Sequence, residues 1–179
     1  MIFAALTDAM RLRLLALLAI VCAAPAAADV VDTSTERQLS LAGSSLRIVI
    51  PREDWLISRE QTRSDVRSVY YALGSAKRDM TLWVFIDQTP VCQNAKACLE
   101  LAIKNKAYEN AKDMKFSELE GFNVVQFTLE PSKDRPRQQH LIAATYIDGA
   151  WVDLHLFQTA KSGTDPGALL AMLKLLAVK

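Results

Sequence analysis

The sequence predicts an α+β domain in which a central, mainly antiparallel sheet of about six to eight strands has helices on both faces, an α/β/α sandwich. Three observations lead to this class. Short apolar stretches alternate with polar residues and end at turn residues, as strands do. Two other stretches have apolar residues at helical spacing. Residues 82–86 are apolar on both faces, so this strand is expected at the centre of the sheet, covered on both sides.

Residues 1–28 have the order of a secretory signal peptide. A short basic region is followed by an apolar run over residues 14–24 and then by the small residues Ala26 and Ala28. The apolar run is shorter than the roughly 20 residues that a membrane-spanning helix needs. We therefore expect cleavage before Asp29, no stable membrane anchor after cleavage, and a periplasmic or secreted protein.

The mature chain is expected to form one domain, because no repeat or long linker divides residues 29–179. Residues 29–37 are polar and are predicted to be a loose amino end before a single domain at 38–179. Small residues at 43–45 predict a hairpin turn, whereas the polar residues 58–65 fit a loop or a short helix. The predicted strands, in order, cover residues 38–42, 46–50, 66–73, 80–87, 114–119, 122–129, 139–147 and 150–158.

Two helices complete the expected elements. Asn94 can cap the first helix, which is predicted to continue to about residue 110. Pro166 fits the first turn of the second helix. Its apolar stripe consists of Leu169, Met172, Leu173 and Leu176. Asp148 and Gly149 between two apolar runs predict a tight hairpin turn. Because hairpins dominate the order of elements, the sheet is expected to be antiparallel.

Two stretches of the chain carry a family resemblance. One is the strand end at residues 48–51 followed by Trp55, and the other is the late hairpin around residues 146–151 with the helix that continues to Leu176. In these features the chain resembles PsbP-like (Mog/PsbP-type) domains. That family is an α/β/α sandwich that includes photosystem extrinsic subunits, Ran-binding proteins and bacterial exported or chaperone-like members. The resemblance implies a binding scaffold, and no catalytic residue is carried over from it.

Cys92 and Cys98 are predicted to form a disulfide, because paired cysteines in an oxidising compartment usually do. Both cannot lie within one straight helix, since their Cα atoms would then be about 9 Å apart from axial rise alone, and a disulfide needs less than about 7 Å. We therefore expect Cys92 before the helix and Cys98 in its first or second turn. The spacing of a C-x₂-C metal motif is absent from the sequence.

Motifs for common enzymes are also absent from the sequence. It contains no G-x-S-x-G, H-E-x-x-H, P-loop or G-x-G-x-x-G pattern, so no catalytic residue and no cofactor are predicted. The formal net charge is +1 and no long basic run occurs, which gives no reason to expect nucleic acid or an anionic membrane as a partner.

One set of polar side chains does converge in the predicted hairpin. Counting outward from the two-residue turn places His140, Asp153 and His155 on the same face of the sheet, with the two histidines diagonal to each other. Diagonal neighbours are roughly 7–8 Å apart at Cα, within reach of two imidazoles. Such a face can form a metal site or an acid–base site, or it can be a structural or partner-binding surface.

The residues around this polar face favour the binding interpretation. Tyr146, Trp151 and Phe157 share the face, and aromatic side chains of this kind suit contact with a helix or a partner. No metal site is predicted, because both imidazoles would have to lean inward to share one ion. In addition, Ile142 and Ala144 on the same face offer no group to orient the imidazoles.

The sequence therefore predicts an exported, non-enzymatic binding or accessory protein of the bacterial envelope, with a chaperone-like role and another envelope protein as its partner. The alternative is a small metal-dependent or acid–base enzyme centred on His140, Asp153 and His155. An open cleft around these three side chains would favour the enzyme, and a helix covering them would favour the binding protein.

Overall fold

The computed structural model describes residues 28–52, 54–63, 67–159 and 165–179, and these residues form two antiparallel sheets and two short helices. The predicted signal peptide lies outside the described residues, apart from Ala28 at its end. Within the described ranges, no helix is both long enough and apolar enough to cross a membrane.

The smaller sheet has four strands, in the order β1-β2-β3-β11. These are β1 (Ala28–Asp32), β2 (Glu36–Leu41), β3 (Ile48–Pro51) and β11 (Ala177–Val178). Leu39 of β2 lies opposite Ile48 of β3, and both side chains are fully buried. The apolar face of this sheet therefore points into the protein.

The larger sheet has seven strands, in the order β4-β5-β6-β10-β9-β8-β7. Its strands are β4 (Leu56–Arg63), β5 (Ser68–Ser75), β6 (Met80–Asp87), β7 (Ala111–Leu119), β8 (Phe122–Leu129), β9 (Gln138–Ile147) and β10 (Ala150–Thr159). Every neighbouring pair is antiparallel. The strand predicted to be central, β6, lies between β5 and β10, which confirms an interior position. It is not covered on both sides as predicted, because the side chains of one face, including Trp83 and Phe85, are only partly buried.

The helices are α1 (Ala95–Ile103) and α2 (Pro166–Leu173). The Asn94 side chain accepts a hydrogen bond of 2.9 Å from the backbone N–H of Ala97, which confirms the predicted cap of α1. The Asp165 side chain caps α2 in the same way. A short 3₁₀ turn (Lys106–Tyr108) follows α1 where one longer helix was expected.

The larger sheet is covered differently on its two faces. One face packs against the smaller sheet and α2, and this core contains all four residues of the predicted stripe of α2. Tyr71 joins the two sheets, since its hydroxyl donates a hydrogen bond of 2.7 Å to the Ser40 carbonyl. The other face is covered in part by α1, which lies over β8, β9 and β10.

The predicted α/β/α sandwich is wrong. The second layer over the larger sheet is mainly another sheet, and the two helices have only nine and eight residues. The physical reason is that β2 and β3 pair with β1 and β11 and bury one apolar face against the larger sheet. Alternation along a strand shows that one face is buried but does not show which layer buries it.

Two local predictions also differ from the structure. Residues 29–37, expected to form a loose end, contain most of β1 and the start of β2. Residues 58–65, expected to form a loop or short helix, lie largely within β4. Strand β4 is an edge of the larger sheet and almost all of its side chains are exposed, so it lacks the apolar alternation that marks a half-buried strand.

Candidate functional site

The hairpin formed by β9 and β10 has the register that its two-residue turn predicts. Asp148 and Gly149 both have positive φ, at 51° and 79°, as a tight hairpin turn requires. Counting outward, Tyr146 lies opposite Trp151, and His140 lies opposite Phe157. This register places His140, Asp153 and His155 on the face of the larger sheet that α1 partly covers.

The two histidines contact each other directly. Nδ1 of His140 and Nε2 of His155 are 2.8 Å apart, so one hydrogen is shared between these two nitrogens. Each residue is only 5% exposed. The His140 ring is stacked between Phe127 and Phe157, at centroid distances of 5.0 and 5.3 Å. The pair is thus built into an aromatic layer across β8, β9 and β10.

Tyr108 also belongs to this site and, like Tyr70, Trp83 and Phe85, is not among the residues predicted from the sequence. The 3₁₀ turn brings its hydroxyl to 3.2 Å from Nδ1 of His155, so the hydrogen-bond chain is Tyr108–His155–His140. Asn105 positions the turn by accepting a hydrogen bond from the Ala107 N–H. A tyrosine at the end of a helix gives no sequence signal for such a contact, because the turn after α1 breaks the helical spacing.

Burial keeps both histidines neutral. Removal from water lowers the pKa of His155 well below its usual 6.5, and repulsion from His140 lowers it further. Burial likewise lowers the pKa of His140, with a smaller contribution from Arg135. Since the two rings point one nitrogen each at the other, these two nitrogens do not point at a common ion. Among the residues that the structure describes, no group of three His, Cys, Asp or Glu side chains could hold a metal.

Asp153 is close to the histidines but is not bonded to them. Its Oδ1 atom is buried and has no hydrogen-bond partner among the described protein groups. Burial raises the pKa of this carboxyl from 3.8 to about 7. Asp153 therefore does not orient His155, as it would in a catalytic triad, and it stays free to meet another molecule.

A cavity of about 510 Å³ opens beside this carboxyl, between the larger sheet and the end of α1. This size is within the range of small-molecule sites. Besides Asp153, its wall contains Tyr70, Trp83, Phe85, Tyr108 and Trp151. The described part of the cavity wall is therefore mainly aromatic and contains one carboxyl group. Of the two histidines, only His155 lines the cavity.

The three aromatic residues predicted to form a binding face have different positions. Trp151 lines the cavity, and its indole Nε1 is buried without a hydrogen-bond partner among the described protein groups. Phe157 packs on Trp83 and His140 instead. Tyr146 packs beside the core under α1 and is not part of the cavity wall. Their role in binding stays a prediction.

Cys92 and Cys98 form the predicted disulfide, with Cα atoms 5.2 Å apart. Cys92 precedes α1 and Cys98 lies in its first turn, as the distance argument required. The bond holds the start of α1 against the larger sheet, in the same apolar cluster as Trp151. The disulfide thereby positions the helix whose far end forms a wall of the cavity.

Comparison with known proteins adds no further constraint. No protein-family model matches the chain, and no curated protein matches it either. The resemblance to PsbP-like domains therefore stays a prediction, and the α/β/α sandwich that it implied is not the architecture observed.

Proposed function

We propose that this protein is an exported binding module of the bacterial envelope that holds a small ligand in the cavity beside Asp153. One observation supports this most strongly. Trp151 and Asp153 line the same aromatic cavity, and each has a buried polar atom, Nε1 and Oδ1, without a hydrogen-bond partner among the described residues. Buried polar groups are normally satisfied, so an unpaired donor and an unpaired acceptor on two side chains of one cavity wall favour a bound molecule.

Binding is favoured over catalysis because His155, the histidine that lines the cavity, has both ring nitrogens engaged. Nε2 of His140 is buried without a hydrogen-bond partner among the described residues, but His140 does not line this cavity. His155 bonds to His140 through one nitrogen and contacts Tyr108 through the other. A general base needs a nitrogen within hydrogen-bond reach of the substrate, and its pKa should be near the working pH. Burial moves the pKa of both histidines away from that range.

Export is supported by two independent features. The signal pattern at the start of the sequence predicts it, and the disulfide between Cys92 and Cys98 fits an oxidising compartment. Another envelope protein as the partner stays a prediction.

The binding proposal can be tested through the three tryptophans. In an NMR titration, the indole N–H signals of Trp83 and Trp151 report on the cavity, because both side chains line it. Trp55 is an internal control, because it is fully buried in the core between the two sheets. The probes are tetramethylammonium, indole and acetate at millimolar concentrations, which cover a cation, a neutral ring and an anion.

We expect at least one probe to shift the Trp151 signal in a saturable way while the Trp55 signal stays fixed. If none of the three probes moves the Trp151 signal, or if all three tryptophans move together, the cavity is not a specific binding site and the proposal is wrong.

An acid–base enzyme is the second candidate, and one observation favours it. Burial places the pKa of Asp153 at about 7, which is suitable for proton transfer near neutral pH. This candidate predicts that bound indole exchanges its C3 hydrogen with deuterated solvent faster than free indole does, and that Asp153→Asn abolishes the acceleration while binding persists. Binding without faster exchange leaves the binding module as the function.

A further inference from the structure

We propose that the ligand of the cavity is a small organic cation, an amine or a quaternary ammonium compound. This inference rests on the proposed binding function and adds the chemical class of the ligand. Two properties of the cavity lead to it, namely the arrangement of its aromatic rings and the isolation of its only carboxyl group.

Neighbouring aromatic rings of the cavity wall are steeply inclined to one another. Trp151 meets Phe85 at 79° with a centroid distance of 5.3 Å, and Tyr70 meets Trp83 at 59° and 6.2 Å. The negative face of an aromatic ring attracts a cation within about 6 Å of its centroid, and ammonium ions are bound in cages of this kind.

The carboxyl of Asp153 has no basic partner among the residues that the structure describes. None of the ion pairs among the described residues includes it, and its neighbours across the sheet are Ala144 and Phe85. A buried carboxylate without a counter-ion is costly, which is the reason for its raised pKa. A cation in the cavity would offset that cost. A neutral ligand would not, and an anion would increase it.

The cavity wall contains three other titratable side chains, which are neutral near pH 7, and one exposed lysine. His155 on the same strand is neutral, and burial raises the pKa of Tyr108 to about 12 and that of Tyr70 above its usual 10. Lys104 also lines the cavity and is exposed, so water screens its charge from a ligand held next to Asp153.

Cation binding should therefore become stronger with pH. A cation prefers the ionised carboxylate, whose pKa is about 7 in the free protein. We expect the affinity to rise by about tenfold between roughly pH 5.5 and pH 8.5 and then to level off. The histidines are neutral over this range and contribute little to the change.

The test compares choline with its neutral isostere, in which carbon replaces the nitrogen, by calorimetry and by the indole N–H signals at pH 8. Shape is matched and only charge differs. We expect choline to bind at least about tenfold more tightly than the isostere. Asp153→Asn should reduce this preference to about twofold or less. Asp134→Asn, which neutralises an exposed loop carboxyl, should leave it unchanged.

The outcomes separate the two proposals. If the isostere binds as tightly as choline, or if only the neutral or anionic probes bind, the cavity is a binding site but the organic-cation inference is wrong. If choline binding survives Asp153→Asn unchanged, the inference is also wrong. If no probe binds at all, the binding function itself fails. An unchanged Trp55 signal shows in every case that the variant is folded.

Discussion

At the scale of single residues, the site depends on which buried groups are paired. His140 and His155 are hydrogen-bonded to each other, whereas His140 Nε2, Asp153 Oδ1 and Trp151 Nε1 are buried with no hydrogen-bond partner among the described residues. The sequence was sufficient to predict His140, Trp151, Asp153 and His155 on one face, because the register of a two-residue turn fixes every position of its strands. It could not predict that the histidines would bond to each other, since ring orientation depends on their neighbours Phe127, Phe157 and Tyr108.

The histidine pair predicts how stability depends on pH. Both pKa values are lowered in the folded protein, so below pH 6.5 the unfolded chain takes up protons that the folded protein does not. Their contribution is full above pH 6.5 and is lost as the pH falls towards the lowered values. Asp153 has the opposite sign, because its raised pKa stabilises the fold at low pH and this contribution is lost as the pH rises towards about 7. Below pH 6.5 the unfolded chain binds two histidine protons that the folded protein lacks, whereas the folded protein binds one Asp153 proton that the unfolded chain lacks. We therefore expect the free energy of unfolding to fall on acidification.

His140→Phe tests this account. Phenylalanine keeps a ring between Phe127 and Phe157 but leaves Nε2 of His155 unpaired, so the free energy of unfolding should fall by about 1–2 kcal/mol at pH 7.5. The variant also loses one titrating group. The difference in free energy of unfolding between the wild type and the variant should therefore narrow by about 1.4 kcal/mol per pH unit below pH 6.5. Urea unfolding at several pH values measures both effects. A deficit that is constant from pH 7.5 to pH 5 would contradict the neutral buried pair.

At the scale of elements, α1 and the turn after it convert a sheet face into a cavity. The sequence predicts the cap at Asn94 and the position of Cys98, because capping and disulfide distances are local constraints. It does not predict that the helix stops at Ile103 or that Lys106–Tyr108 forms a 3₁₀ turn. Those features depend on how Tyr108 packs on His155 and Phe127, which are distant in the sequence.

Removing the disulfide should therefore affect both stability and the cavity. We expect the Cys92→Ser/Cys98→Ser double variant to lose about 2 kcal/mol in the free energy of unfolding, because the closed loop is short. The loss of the clamp on α1 should also change the indole signal of Trp151 but not that of Trp55. Thiol labelling of the native protein without reductant provides the control, and two readily modified cysteines would show that the bond is not formed.

At the scale of the whole molecule, the protein is a larger sheet with a smaller sheet and α2 on one face and the cavity on the other. The hairpins and the central position of β6 follow from local patterns, but the division into two sheets does not. It is decided by the pairing of β1 with β2 and of β11 with β3. Strand β11 has only two residues, and its partner is at the other end of the chain, so no local pattern reveals it.

The predicted cleavage before Asp29 is also a property of the whole chain. In the structure, the backbone N–H of Asp29 donates a hydrogen bond of 3.1 Å to the hydroxyl of Tyr71, so the new amino end would keep a partner there. We expect the protein recovered from the exported fraction to have the mass of residues 29–179. A species that retains the apolar run at residues 14–24 would contradict the signal peptide and favour a membrane anchor.

The central claim is that Asp153, a half-buried residue whose Oδ1 has no hydrogen-bond partner among the described residues, binds a cation in the cavity. The most direct measurement is the pH titration of its side-chain carboxyl carbon by NMR, with and without choline. We expect a pKa of about 7 in the free protein, because burial opposes ionisation, and a lower pKa when choline is bound. A carboxyl that titrates near 4 in the free protein, or whose pKa does not change with choline, would contradict the account.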